Sequence, residues 1–239
     1  MGKYIALIAS SLLSFFGWQP ISKEFKDTFR ATTQRVVIFP HTTYWDFPIM
    51  LIYALTSWSD YNSVYVVMKP QLASGPLGWF FRWLHCIPST RREDSGKGFV
   101  KEVVDRLSRL SNYTLVIAPE GTVDRKEWRS GYFHLAKELG CPIQVMGLDY
   151  NHHCLVTKDP LVIVDNYEAT EQQLKRLIAT IPMLHPERSV TDAPNCRTSL
   201  YNNPQFDYFL LVLNGIAKRM LCCVKRFSLW YDDDWEQEE

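Results

Sequence analysis

Two rhythms of apolar and polar positions run along this chain. Short β-branched or aromatic runs at 35–39, 63–68, 113–118 and 142–150 have the look of buried strands. Briefer extended pieces stand at 86–88, 154–157 and 161–164. Between them the period lengthens to that of a helix. Tyr4 to Trp18 is apolar throughout, and Asp46-Phe47-Pro48 opens a helix through about Trp58, with proline at an early position. Trp79 to Leu84 is a short aromatic helix, and Gly98 to Leu110 repeats Val100, Val103, Val104, Leu107 and Leu110 at helical spacing. Ser130 to Leu139 stops at Gly140, and Glu171 to Ile181 is amphipathic. Strand alternates with helix, which predicts an α/β layer fold. Residues 189–203 are rich in proline, asparagine, serine and threonine and form a linker. Phe206 to Phe227 follows as a basic amphipathic helix, then an acidic tail. The chain therefore partitions into an apolar helix and loop (1–30), a main domain (31–187), and a linker, helix and tail (188–239).

Ligands of an open α/β sheet gather where strands end, and polar clusters stand at three such places. Pro40 ends the first strand, and His41 and Asp46 follow it five positions apart. Arg91 and Arg92 follow the extended piece at 86–88, and Glu120-Gly121-Thr122 follows the strand at 113–118. Two arrangements satisfy His41 and Asp46. A turn after the histidine returns the carboxylate to one imidazole nitrogen and makes an oriented general base, or the two residues cap a helix start. Adjacent arginines are usually a solvated face, and Glu-Gly-Thr also serves as a plain turn with a helix cap; recurrence at one kind of place favours a shared site. Arginine grips phosphate bidentately, and glycine with threonine lets backbone N–H groups approach an anion.

Composition narrows the partners. Lys+Arg and Asp+Glu both number 26, so no basic surplus points to nucleic acid. The six cysteines show no C-x-x-C spacing, which reads as reduced thiols. His152-His153 has no further ligand at recognisable spacing, so no metal is expected. The segment from Tyr4 to Trp18 is short for a membrane span of about 20 residues. It fits a buried helix or one lying on a membrane surface.

At this point the residues resemble the glycerolipid acyltransferase family, whose members include lysophosphatidic acid acyltransferases. Pro40-His41-Thr42-Thr43-Tyr44-Trp45-Asp46 resembles its Asn-His-x-x-x-x-Asp block, with proline for asparagine. Phe80 to Arg91 resembles the Gly-x-Ile-x-x-x-Arg block, with His85 where glycine is usual and Thr90 where aspartate is usual. Pro119-Glu120-Gly121-Thr122 resembles Pro-Glu-Gly-Thr-Arg, with Val123 for the arginine. Cys141-Pro142-Ile143-Gln144-Val145-Met146 resembles the fourth block, and Trp128 to Ala136 resembles the helix after block three in compact bacterial-type members. The resemblance covers about residues 35–180.

The resemblance implies a mixed sheet flanked by helices, glycerol-3-phosphate acyltransferase-like, with an apolar helix before it and a helical extension after it. It implies transfer of a fatty acyl group from acyl-CoA or acyl-ACP to a lysophospholipid or glycerol phosphate, with those thioesters as substrates and no cofactor. His41 is the implied base, oriented by Asp46. Arg91, Glu120, Gly121 and Thr122 are implied at the acceptor, with Lys69 a candidate for phosphate or oxyanion contact. Peripheral association on the cytoplasmic side of a membrane is expected. Pro40 and Val123 keep a second reading open, a catalytically silent lipid-binding relative.

Overall fold

A computed structural model of the chain describes residues 2–184, apart from 24, 27–28, 30–32, 44, 57–62, 71–72, 74–77, 90–96 and 122–126. The chain divides into two compact units, Met1–Thr198 and Ser199–Glu239, and the described residues belong to the first. The linker and helix expected after residue 188 lie outside the described residues.

Six strands form one mixed sheet: β1 (Gln34–Ile38), β2 (Val64–Met68), β3 (Cys86–Pro88), β4 (Tyr113–Ile117), β5 (Ile143–Asp149) and β6 (Cys154–Val162). Their spatial order is β3-β2-β4-β1-β5-β6. The first five pair in parallel, and β6 runs antiparallel to β5 at the edge. Among the described residues six helices accompany the sheet: α1 (Gly2–Phe15), α2 (Asp46–Thr56), α3 (Gly78–Trp83), α4 (Lys97–Leu107), α5 (Gly131–Leu139) and α6 (Tyr167–Ile178).

Both faces of the central strands are covered, which is why they read as unbroken apolar runs. In β4, Tyr113, Leu115 and Ile117 join a core with Leu107 of α4, Leu135 of α5 and Leu174 of α6. The intervening Thr114 and Val116 line an apolar cleft beside α2 on the other face. α1 packs on α2 through a stripe that buries Ala9 and Leu13. Arg35, at the start of β1, is 1 % exposed, and burial draws its pKa down to about 10. It bonds Gln144 at 2.7 Å and the Phe29 carbonyl, with its guanidinium over the Phe29 ring.

The structure corrects three element boundaries. The two short strands expected at 154–157 and 161–164 are one strand, β6. An irregular register sets Ile143 beside Val162 but Val145 beside Lys158, so Asp159-Pro160-Leu161 faces one residue of β5. Proline is tolerated at such an edge bulge. α6 begins at Tyr167, a turn earlier than expected, because the Asn166 side chain accepts the Glu168 and Ala169 N–H groups. α4 ends at Leu107, three residues early, and a turn carries the chain through Leu110. Gly140 does stop α5, in the left-handed region at φ 61°. No helix among the described residues is long and apolar enough to cross a membrane.

Candidate active site

Register decides which side chains meet at the sheet's carboxyl edge. β1 and β4 lie parallel with Ile38 beside Ile117, and the Phe39 N–H extends the ladder to the Ile117 carbonyl at 3.1 Å. His41 and Glu120 each stand three residues beyond that pair, so equal offsets deliver them to one point on the rim. On the other flank of β1, Val145 of β5 pairs with Ile38, and β5 carries Tyr150 to the same edge. Pro40 is buried and packs near Gly147 of β5, where an added Cβ would lie 3.6 Å from its ring.

Asp46 opens α2 and is 2 % exposed. Its Oδ2 accepts the backbone N–H groups of Thr42 and Thr43, each at 2.8 Å, and lies 3.5 Å from His41 Nδ1. Of the two arrangements expected for the pair, the turn is the one observed: the carboxylate closes the loop before α2 and faces the imidazole, and the N–H groups it accepts lie upstream of the helix, so it does not cap the start of α2. The other oxygen, Oδ1, accepts the Tyr150 hydroxyl at 2.7 Å. Hydrogen bonds to an ionised group are the strong kind, and three of them fix this carboxylate. The 3.5 Å gap to His41 is wide for a hydrogen bond, and such gaps commonly close when substrate binds.

Glu120 is 2 % exposed, and burial pushes its pKa up to about 7. The backbone N–H of Glu120 itself opposes that rise, followed by the charge of His41, the Trp128 indole and the His41 backbone N–H. The indole stops short of a formed hydrogen bond, since Trp128 Nε1 and Glu120 Oε2 both lack a partner among the described residues. A buried carboxyl oxygen without a donor, close to an imidazole, suits a substrate hydroxyl. Gly121 follows at φ 65°, a conformation that glycine takes at little cost. The Arg129 side chain lies beside it: a Cβ at Gly121 would be 3.7 Å from Arg129 Nε, and both residues are exposed.

The structure brings His41, Asp46, Glu120 and Gly121 together. Lys69 is exposed directly after β2, on the same edge but two strands from β1. Arg91 and Thr122 lie outside the described residues. Tyr150, Trp128 and Arg129 join the site without having been expected there: Trp128 and Arg129 open the stretch that resembles the helix after block three, and the one local signal for Tyr150 is its place at a strand end. His152 is tied to the turn after β5, its Nδ1 2.9 Å from Asp149 Oδ2. Among the described residues no cluster of three or more His, Cys, Asp or Glu could hold a metal ion.

An apolar cleft lies between α2 and the sheet, lined by Phe29, Phe47, Met50, Val66, Cys86 and Val116 among others. Its lining is almost free of polar groups.

A family model described as Acyltransferase matches residues 20–148. No curated protein matches the chain. Among solved structures, the chain is similar to the 1-acyl-sn-glycerophosphate (LPA) acyltransferase PlsC from Thermotoga maritima. Identity is 13%, the match covers 73% of this chain and 77% of that one, and the TM-score is 0.46.

Proposed function

We propose, from the premise that the chain belongs to the Acyltransferase family, that it moves a fatty acyl group from acyl-CoA or acyl-ACP to a hydroxyl of a lysophospholipid or glycerol phosphate. The observation that carries this reading is His41 Nδ1 facing a buried, triply hydrogen-bonded Asp46. An alcohol is a poor nucleophile until its proton has a destination. His41 Nε2 takes that proton as the alcohol oxygen attacks the thioester carbonyl, and Asp46 stabilises the imidazolium formed. The tetrahedral intermediate collapses, the C–S bond breaks, and the departing thiolate takes the proton back from His41. The acceptor's own oxygen attacks, so no acyl-enzyme is required.

Glu120 and Gly121, with Arg91, Thr122 and Lys69, orient the acceptor's head group, and Arg129 adds a cation beside Gly121. The apolar cleft beside α2 suits an alkyl chain in the chemistry of its lining. Tyr4, Leu7, Ile8, Leu12 and Phe15 leave an exposed apolar stripe along α1, and Trp79 and Trp83 expose two more rings. These features suit a bilayer surface on its cytoplasmic side, where a lysolipid acceptor would reside.

His41→Ala should lower acylation turnover by a factor of roughly 10² to 10⁴, the scale of losing a general base. The assay is coenzyme A release from acyl-CoA against a panel of lysolipids and glycerol phosphate. Wild-type turnover in a folded His41→Ala chain would refute the assignment. A wild-type chain that binds lipid yet releases no coenzyme A with any acceptor would favour the silent relative.

A further inference from the structure

Asp46 does not hold its position through its own loop alone. Its Oδ1 is occupied by the Tyr150 hydroxyl, which arrives from the far end of β5, 104 residues away in the chain. Tyr150 is itself buried, and its backbone N–H donates to the Pro182 carbonyl at 2.9 Å. Against its ring stands the edge of Trp18, with centroids 5.3 Å apart at 82°. Trp18 is 2 % exposed and also meets Tyr53 of α2 and His153 in the turn after β5. The next residue is bolted to the same turn. Gln19 N–H donates to the His153 carbonyl at 2.7 Å and its side chain to the His152 carbonyl at 3.0 Å, while the Tyr53 hydroxyl donates to the Gln19 carbonyl at 2.7 Å. These residues lie immediately beyond α1, whose outer face is the exposed apolar stripe.

We infer that Tyr150 is a positioning residue for the His41–Asp46 pair, and that Trp18, at the foot of α1, holds Tyr150 in place. The inference rests on the acyl-transfer reading for its catalytic meaning, although the geometry beneath it does not. A phenol donating to a carboxylate holds part of the negative charge that would otherwise stabilise the imidazolium. Removing the donor leaves Asp46 more basic, so His41 keeps its proton to higher pH and becomes an available base later in a titration. Glu120 faces His41 from the turn after β4, Asp149 and His152 share the turn with Tyr150, and His153 packs on Trp18. All four are unchanged by the substitution, so the displacement reports the lost phenol.

Three variants of the full chain test this: Tyr150→Phe, Trp18→Leu and Trp18→Phe. Tyr150→Phe should lower kcat roughly ten- to a hundredfold, the scale of one hydrogen bond to an ionised group, with KM for donor and acceptor little changed. The acid limb of its kcat profile should move to higher pH, and so should the His41 ring titration followed by NMR. Trp18→Leu should move both in the same direction with a smaller loss of kcat. Trp18→Phe preserves an edge-to-face contact and should stay near wild type. A Tyr150→Phe chain whose His41 titration superimposes on the wild type would overturn the positioning role, as would a loss of kcat no larger than its loss of folded protein. A Trp18→Leu titration identical to wild type would remove α1 from the arrangement. The NMR titration needs no turnover, so an absence of acyl transfer in the wild type would sink the functional reading and leave this one to be judged separately.

Discussion

A carboxyl buried beside an imidazole makes pH a lever on Glu120. Its ordinary value of 4.5 rises to about 7 in the folded chain, chiefly through burial. The folded state therefore binds this proton more tightly than the unfolded state does. Stability from this group is fully present below about pH 4.5, declines as pH rises, and is gone above about pH 7. Glu120→Gln abolishes the titration. From urea unfolding at pH 5 and pH 8, the difference in stability between wild type and Glu120→Gln should shift toward the variant by up to roughly 3 kcal/mol. A difference that stays constant over that range would mean the carboxyl carries no such burden. Legibility was uneven at this scale. His41, Asp46 and Glu120 stood out because each follows a strong apolar run, whereas Tyr150 is one more aromatic residue in a chain that has 12 tyrosines.

Among the elements, the short ones are the most tightly constrained. α3 begins at Gly78, which is buried against the Ala73 carbonyl oxygen, and a Cβ there would overlap that backbone atom. Gly78→Ala should cost about 1–3 kcal/mol, the range for forcing atoms into a packed site, and lower the urea midpoint accordingly. An unchanged midpoint would show that the backbone yields there. Just past α3, His85 takes φ 55° and stacks on Tyr65 at 5.3 Å. That left-handed backbone is open to histidine, one of the side chains that visit this region more often than most. The core strands and Gly140 were readable because continuous apolar runs and a helix-stopping glycine are local signals. The single strand β6 was not, because Pro160 breaks the local pattern and only pairing with β5 carries the strand past it.

For the molecule as a whole, the unresolved balance lies on its surface. Leu7, Ile8 and Phe15 are 69%, 61% and 62% exposed on one side of α1, while Ala9 and Leu13 on the other side are buried. Apolar residues thus line both the buried and the exposed side of α1, and the exposed ones suit a second apolar contact. Leu7→Glu with Ile8→Glu touches no buried residue and should leave the urea midpoint unchanged, while cutting flotation with anionic vesicles several-fold through lost apolar insertion and added like charge. Undiminished flotation would assign vesicle binding to some other surface.

What the chain determined by itself is local: where strands and helices form, where several of them stop, and which polar residues stand just past a strand's end. Apolar periodicity and turn residues act over a few positions, and a reader needs no more than those positions to see them. Only the tertiary structure decided that β4 and β5 flank β1, and that choice brings Glu120 and Tyr150 to His41 and Asp46. Strand order follows from how six apolar surfaces are shared among the helices, and no short stretch of sequence encodes its neighbour across the sheet.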